Sequence, residues 1–112
     1  DAHSIRSAVP FLFEGRLPDL NLGTADGRSC SVELQRRLEI QLAKQKVYSW
    51  VVNGRFKGGY ITREYGHPMN GVDAVQLELT QHNYMNEDNF EYVTTRAERI
   101  RVIINLLLKK CL

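Results

Sequence analysis

The alternation of helical and extended hydrophobic patterns constrains the fold of this chain more than any other feature of its sequence. Leucines spaced four residues apart predict a helix that begins near Ser31. Apolar and β-branched residues predict strands over residues 47–53 and 72–80. Apolar residues on one face between Ile100 and Cys111 predict a final amphipathic helix. Strands that alternate with helices favour an α/β fold with a parallel or mixed sheet.

Turn-forming residues predict where this regular structure is interrupted. Gly, Pro, Asp and Asn are frequent over residues 5–28, which we therefore expect to be mostly loop, with a short extended piece at 11–13. Residues 58–63 predict a glycine turn followed by a second short extended segment. Thr95 and Glu98 have the spacing of a capping box at the start of the last helix.

Length and composition exclude several classes of protein. The chain has 112 residues, 43% of them hydrophobic and 25% charged, which predicts one small globular domain at most and excludes a disordered tail. The net charge is only +2 and no basic run is interleaved with aromatic residues, so we expect no nucleic-acid partner. The longest apolar run, Ile100 to Leu108, is far shorter than the roughly 20 residues of a membrane span.

Two cysteines, Cys30 and Cys111, form no metal-binding spacing. A disulfide between them is one interpretation, and two free thiols in a reducing cytoplasm is the one we favour.

His3 lies in the opening motif Asp1-Ala2-His3-Ser4. This segment is expected at the carboxyl end of a strand, where ligands bind in open α/β sheets. An imidazole beside a carboxylate is a common way to build a metal site. Taken alone, His3 is better explained as a loop histidine with a structural hydrogen bond, because zinc sites usually need three or four ligands. His67 and His82 are too distant in sequence to complete a site with His3 by spacing.

Glu78 is the second candidate residue, since it lies between Leu77 and Leu79 in a predicted strand. Either it is an outward residue on a half-exposed sheet or it belongs to a site. A buried carboxylate is costly unless paired, and burial raises its pKa toward the range of a general base. The pattern alone leaves both interpretations open.

Residues 53–63 concentrate three cations with glycines and aromatic residues in a turn-rich stretch. Glycines allow close approach of the backbone to a ligand, and an arginine fork suits a carboxylate, so a pocket for a small anion is one interpretation. A solvated hairpin with ordinary surface charges is the other, and it is favoured without further context. The stretch lacks the spacing of a phosphate-binding loop. Residues 19–24 could position a ligand or simply form a turn.

Four blocks of this sequence, in this order, resemble the N-formylglutamate amidohydrolase (N-formylglutamate deformylase) family. They are residues 1–7, 13–24, 53–62 and 76–79, so the resemblance extends over most of the chain. It implies a relative of the zinc-carboxypeptidase-like hydrolases, with a mixed, mostly parallel sheet flanked by helices. It also implies that residues 1–112 are the C-terminal portion of a single hydrolase domain, whose N-terminal half and other metal ligands lie outside the chain.

The resemblance implies roles for individual residues. His3 would be a ligand of zinc or another divalent metal, and Glu78 would be the general base. The reaction would cleave N-formyl-L-glutamate to formate and L-glutamate, a step of histidine degradation. The alternatives are another N-acylated acidic amino acid as substrate, or a non-catalytic anion-binding module. The expected substrate-binding residues are Arg6, Asn53, Arg55, Lys57, Tyr60 and Arg63.

Overall fold

Four short strands and three α-helices form the regular structure of the computed structural model, which describes residues 1–112. The strands are β1 (Ala2–Ile5), β2 (Leu20–Gly23), β3 (Trp50–Val52) and β4 (Gln76–Thr80). The helices are α1 (Val32–Lys44), α2 (Tyr60–Tyr65) and α3 (Thr94–Lys110), with single 3-10 turns at Pro68–Asn70 and Gln81–Asn83.

The four strands form one mixed sheet in the order β1-β4-β2-β3. β1 is parallel to β4, β2 is parallel to β3, and β2 is antiparallel to β4. Two of the three pairings are therefore parallel, and the predicted α/β fold with a mixed, mostly parallel sheet is confirmed.

One face of the sheet forms the hydrophobic core with α1 and α3. Because side chains alternate between the two faces of a strand, every second residue of each central strand points to these helices. The core contains Leu20, Leu22 and Leu79 from the strands, Leu34, Leu38 and Leu42 from α1, and Ile100 and Leu107 from α3. The residues between those strand positions, among them Asn21 and Glu78, lie on the opposite face.

Helix α1 begins where the sequence predicts. Ser31 is the N-cap residue, and its hydroxyl accepts a hydrogen bond from the backbone N–H of Leu34 at 3.3 Å. The carboxylate of Asp73 in turn accepts from the N–H and the hydroxyl of Ser31, at 2.6 and 3.0 Å. The start of α1 is therefore tied to the segment that leads into β4.

The prediction that residues 5–28 are mostly loop missed strand β2. Its short sequence, Leu20–Gly23, carries an Asn and a Gly that are typical of turns, but Leu20 and Leu22 are buried in the core. Packing therefore overrides local propensity. The prediction of an extended piece at 11–13 is wrong, because the N–H groups of Leu12 and Phe13 both donate to the Val9 carbonyl and close a turn.

Three other expectations about local structure are corrected. Residues 60–63 are the start of helix α2 rather than an extended segment, and buried Thr62 anchors that helix. Thr95 lies inside α3, whose N-cap residue is Val93 and makes no side-chain cap, so the expected capping box is absent. The strands expected over 47–53 and 72–80 are also shorter than predicted.

Both cysteines are free thiols, as favoured from the sequence. Cys30 is buried in the core, and burial raises the pKa of its thiol to about 11. No helix of this chain is both long and apolar enough to cross a bilayer.

Truncation of Leu42 tests the position of the core. This side chain is 0% exposed in α1, and Leu42→Ala should lower the free energy of unfolding by about 2–5 kcal/mol. Ile40→Ala on the same helix is the control, because Ile40 is 48% exposed and its truncation leaves no enclosed cavity. Urea unfolding of the three proteins checks the difference, and equal losses for the two variants would contradict the described core.

Candidate active-site face

The register of the sheet brings His3 and Glu78 side by side. His3 on β1 is the partner of Glu78 on β4, and Glu78 is also the partner of Asn21 on β2. Paired residues of neighbouring strands point to the same face, with Cβ atoms about 5 Å apart. We call the face that carries these three side chains the site face. It lies opposite the helices.

The imidazole of His3 is held by the carboxylate of Asp1, the residue directly before β1. His3 Nε2 lies 2.8 Å from Asp1 Oδ2. Residues two apart on a strand share a face, which explains why these side chains meet. The second ring nitrogen, Nδ1, makes no hydrogen bond within the chain, and the side chain is 50% exposed. His3 therefore has one nitrogen free for a ligand.

Glu78 is a buried acid with an unusual environment. The residue is 8% exposed, and its carboxylate accepts no hydrogen bond within the chain. Burial raises the pKa of the Glu78 carboxyl above its ordinary value, and the neighbouring His3 opposes part of this effect. Glu78 points away from the helices, as the outward interpretation expects, but the residue is buried rather than half exposed. The arrangement is that of a carboxylate suited to accept a proton.

Asn21 is a neighbour of Glu78 that the sequence patterns did not single out. Its amide nitrogen donates to the carbonyls of Pro18 and Glu78, at 2.8 and 3.2 Å, which fixes the orientation of the amide. The amide oxygen is buried without a partner. A polar residue between two core leucines was the one signal in the sequence that could have identified it.

The residues of this chain can supply one ligand of a metal site. No group of three or more His, Cys, Asp or Glu side chains is arranged to hold a metal ion. His3, with a free Nδ1 next to a buried carboxylate, fits a single imidazole ligand of zinc, whose sites use three or four ligands. The other ligands of such a site would have to come from outside residues 1–112.

The loop before α2 is joined to the site face through Gln76. The side-chain oxygen of Gln76, two residues before Glu78 on β4, accepts the Gly59 N–H at 2.6 Å. The backbone at Lys57 passes close to β2. This approach needs glycine at position 23, where an added Cβ would lie 2.6 Å from the Lys57 carbonyl carbon. The part of residues 53–63 that includes Gly59 therefore borders the site face, as a ligand pocket there would require.

Three of the expected substrate-binding residues are engaged in contacts within the chain. The side chain of Asn53 bonds to the N–H and hydroxyl of Thr24, both at 2.8 Å, and stabilises that turn. The ammonium of Lys57 lies 3.2 Å from the Asp26 carboxylate. The Arg63 guanidinium donates to the Gly58 carbonyl at 2.9 Å.

The other three are freer. Arg6 directly follows β1, is exposed and makes no side-chain hydrogen bond. Arg55 uses its Nε to donate to the Leu12 carbonyl at 2.9 Å, which leaves its terminal nitrogens free. Tyr60, the first residue of α2, is 67% exposed. These three residues therefore keep donors that no contact within the chain uses.

Asp19 has a structural role that the sequence left open. Its carboxylate accepts hydrogen bonds from Ser49 and Asn83 and lies 3.0 Å from His82 Nε2. Burial alone would raise the pKa of Asp19, but the hydrogen bonds from Asn83 and Ser49 and the charge of His82 together hold it below its ordinary value. Asp19 therefore connects the start of β2 with the residue before β3 and the turn that follows β4.

This lowered pKa predicts a pH-dependent contribution to stability. The contribution is present above the ordinary Asp pKa of about 3.9 and is lost as the pH falls through the lower pKa of the folded state. At neutral pH, Asp19→Asn should lower the free energy of unfolding by about 2 kcal/mol, and the loss should shrink at acidic pH below the ordinary Asp pKa of about 3.9. Urea unfolding at both pH values checks this, with exposed Asp88→Asn as the control. A loss that does not depend on pH would be inconsistent with the role given to Asp19.

A cleft of about 570 Å³ lies outside the site face. It is lined by Ser7, Arg16, His82, Glu87, Arg96 and Arg99 among others, and by neither His3 nor Glu78. The Glu87 carboxylate is occupied by the N–H and hydroxyl of Ser7, both at 2.6 Å. His3 and Glu78 therefore lie outside this cleft, and its volume is no guide to the candidate active site.

Comparisons with known proteins agree with the resemblance of the four sequence blocks. The family model described as N-formylglutamate amidohydrolase matches residues 1–85. Two N-formylglutamate deformylases, from Pseudomonas aeruginosa PAO1 and Pseudomonas putida, are 57% and 51% identical over all of this chain. The chain covers 42% of each, so it spans less than half the length of these relatives.

A solved structure is also similar to this chain. The crystal structure of N-formylglutamate amidohydrolase from Ralstonia eutropha JMP134 aligns with 87% of the chain at a TM-score of 0.72 and 28% sequence identity. The aligned part is 34% of that protein.

Proposed function

The chain belongs to the N-formylglutamate amidohydrolase family, and we propose that it is the C-terminal portion of a cytoplasmic, metal-dependent hydrolase that cleaves N-formyl-L-glutamate to formate and L-glutamate. The observation that carries this proposal is the pairing of His3 with Glu78 on the site face. The family resemblance gives these two positions the roles of metal ligand and general base. Their adjacency supports a single reaction centre.

His3 is proposed to bind the metal because its imidazole is half exposed, oriented by Asp1 and free at Nδ1. Zinc is the first candidate, since an imidazole suits this ion and the chain offers a nitrogen ligand beside a carboxylate. When bound, such an ion makes water reactive at neutral pH and polarises a carbonyl oxygen.

Glu78 is proposed to transfer the proton of the reaction. Its buried carboxylate accepts no hydrogen bond within the chain, so it is free to take a proton from the attacking water. The same group then returns that proton to the nitrogen that leaves as the amino group of glutamate. The pairing of β1 with β4 supports this role, because Glu78 lies next to His3, the proposed ligand.

The two carboxylates of N-formylglutamate need cationic or hydrogen-bonding partners. We propose that Arg6 and Arg55 provide the main charges, because each keeps donors that no group of the chain uses. Tyr60 is proposed to donate a further hydrogen bond from the exposed start of α2. Asn53, Lys57 and Arg63 would instead stabilise the loop through their contacts within the chain.

A substrate panel tests the proposed specificity. The full-length enzyme, meaning a protein of the relatives' length that contains this segment numbered as here, is assayed with the N-formyl, N-acetyl and N-succinyl derivatives of L-glutamate and with N-formyl derivatives of neutral amino acids. We expect kcat/KM to be highest for N-formyl-L-glutamate. Equal or faster cleavage of an acetyl or succinyl compound would instead assign the enzyme to other N-acylated acidic amino acids.

A further inference from the structure

The contact between Asp1 and His3 is fixed by the backbone of the sheet. The Asp1 carbonyl accepts the Leu77 N–H at 2.8 Å, so Asp1 extends the pairing of β1 with β4 by one residue. Its carboxylate then lies on the same face as His3, with Oδ2 2.8 Å from Nε2. The Asp1 side chain is only 14% exposed, whereas that of His3 is 50% exposed.

This contact decides which nitrogen of His3 carries hydrogen. A neutral imidazole has one N–H and one nitrogen with a free lone pair, and an ionised carboxylate can only accept a hydrogen bond. With a neutral ring and an ionised carboxylate, Nε2 carries the hydrogen and donates it to Asp1. The lone pair is on Nδ1, which no other group of the chain occupies.

We propose that Asp1 is a positioning residue, which holds the His3 ring in the form that presents Nδ1 to a divalent metal ion. This inference rests on the proposed function, because it assigns a second residue to the same metal centre. A carboxylate behind a ligating imidazole fixes the orientation of the ring and raises the basicity of the ligating nitrogen. Asp1 thus acts through His3 and does not itself touch the metal or the substrate.

Zinc affinity of the full-length enzyme, measured by competition with a chelator, tests this role. Asp1→Ala should weaken zinc binding by about 10- to 100-fold, as loss of such a partner does in other metal sites. Asp1→Asn should retain most of the affinity, because its amide oxygen still accepts from Nε2. Asp88→Ala is the matched control, since this exposed aspartate contacts no histidine, and its affinity should equal that of the parent protein.

The ligating atom is read independently from the ¹⁵N spectrum of the zinc-loaded enzyme with labelled histidine. We expect His3 to show a metal-bound Nδ1 and a protonated Nε2. This measurement uses the parent enzyme, so it does not depend on the folding of a variant. Zinc bound through Nε2, or an Asp1→Ala affinity equal to the control, would overturn the role of Asp1. If His3→Ala itself leaves zinc affinity unchanged, the proposed metal centre fails rather than the role of Asp1 alone.

Discussion

Glu78→Gln in the full-length enzyme should lower kcat for hydrolysis of N-formyl-L-glutamate by at least about 10²- to 10⁴-fold, the usual contribution of a general base. The amide is nearly the same size as the carboxylate but cannot accept the proton of the attacking water. Because Glu78 lies beside His3 and is not itself the proposed ligand, zinc content should stay the same. The loss should therefore appear in kcat with metal still bound.

The comparison that isolates this effect is Glu98→Gln, an identical change at an exposed position of α3. Its kcat, its zinc content and its unfolding temperature should equal those of the parent enzyme. Loss of turnover in Glu78→Gln with an unchanged unfolding temperature would assign the effect to the chemical step rather than to folding. Near-normal turnover in Glu78→Gln would remove this residue from the mechanism.

His3→Ala should weaken zinc affinity of the full-length enzyme by more than about 100-fold, the upper range for loss of a partner that only supports a ligand. Removal of a direct ligand leaves the ion with fewer than the three protein ligands that catalytic zinc sites use. The protein should stay folded, because the His3 side chain is half exposed and lies outside the hydrophobic core. Metal analysis after dialysis, together with chelator competition, gives the measurement.

His67→Ala provides the matched histidine control. His67 is exposed and lies before the 3-10 turn at Pro68–Asn70, with no side-chain hydrogen bond. Its loss should leave zinc content unchanged. If His3→Ala and His67→Ala both keep their metal after dialysis, His3 is not a ligand and its contact with Asp1 is structural.

Sequence patterns located the parts of the fold in which local and tertiary preferences agree. The leucine spacing of α1 and its Ser31 cap predicted a helix that the core indeed buries. The alternation around Glu78 predicted that this residue faces away from the leucines of the core. In β2 and α2 the two preferences disagree, since turn-forming residues lie in a buried strand and β-prone residues lie in a short helix. Tertiary packing decides such segments, and spacing alone cannot show it.

The sequence alone predicted only part of the candidate site. His3 and Glu78 were both identified, but their adjacency depends on the parallel pairing of β1 with β4 across 75 positions of the chain. The buried amide of Asn21 and the engagement of Asn53 with Thr24 follow from the same long-range geometry. The roles of the cations in residues 53–63 remain predictions, and the contacts of Lys57 and Arg63 within the chain favour Arg6 and Arg55 as partners of substrate.

Formate release from N-formyl-L-glutamate by the full-length enzyme, followed before and after removal of metal, tests the proposed metal-dependent reaction. We predict that exhaustive chelation abolishes release and that added zinc restores it in the parent enzyme but not in Glu78→Gln. Undiminished release by protein shown to contain no metal would contradict metal dependence and would remove His3 from the mechanism as a ligand, and restored turnover in Glu78→Gln would remove Glu78 as the general base.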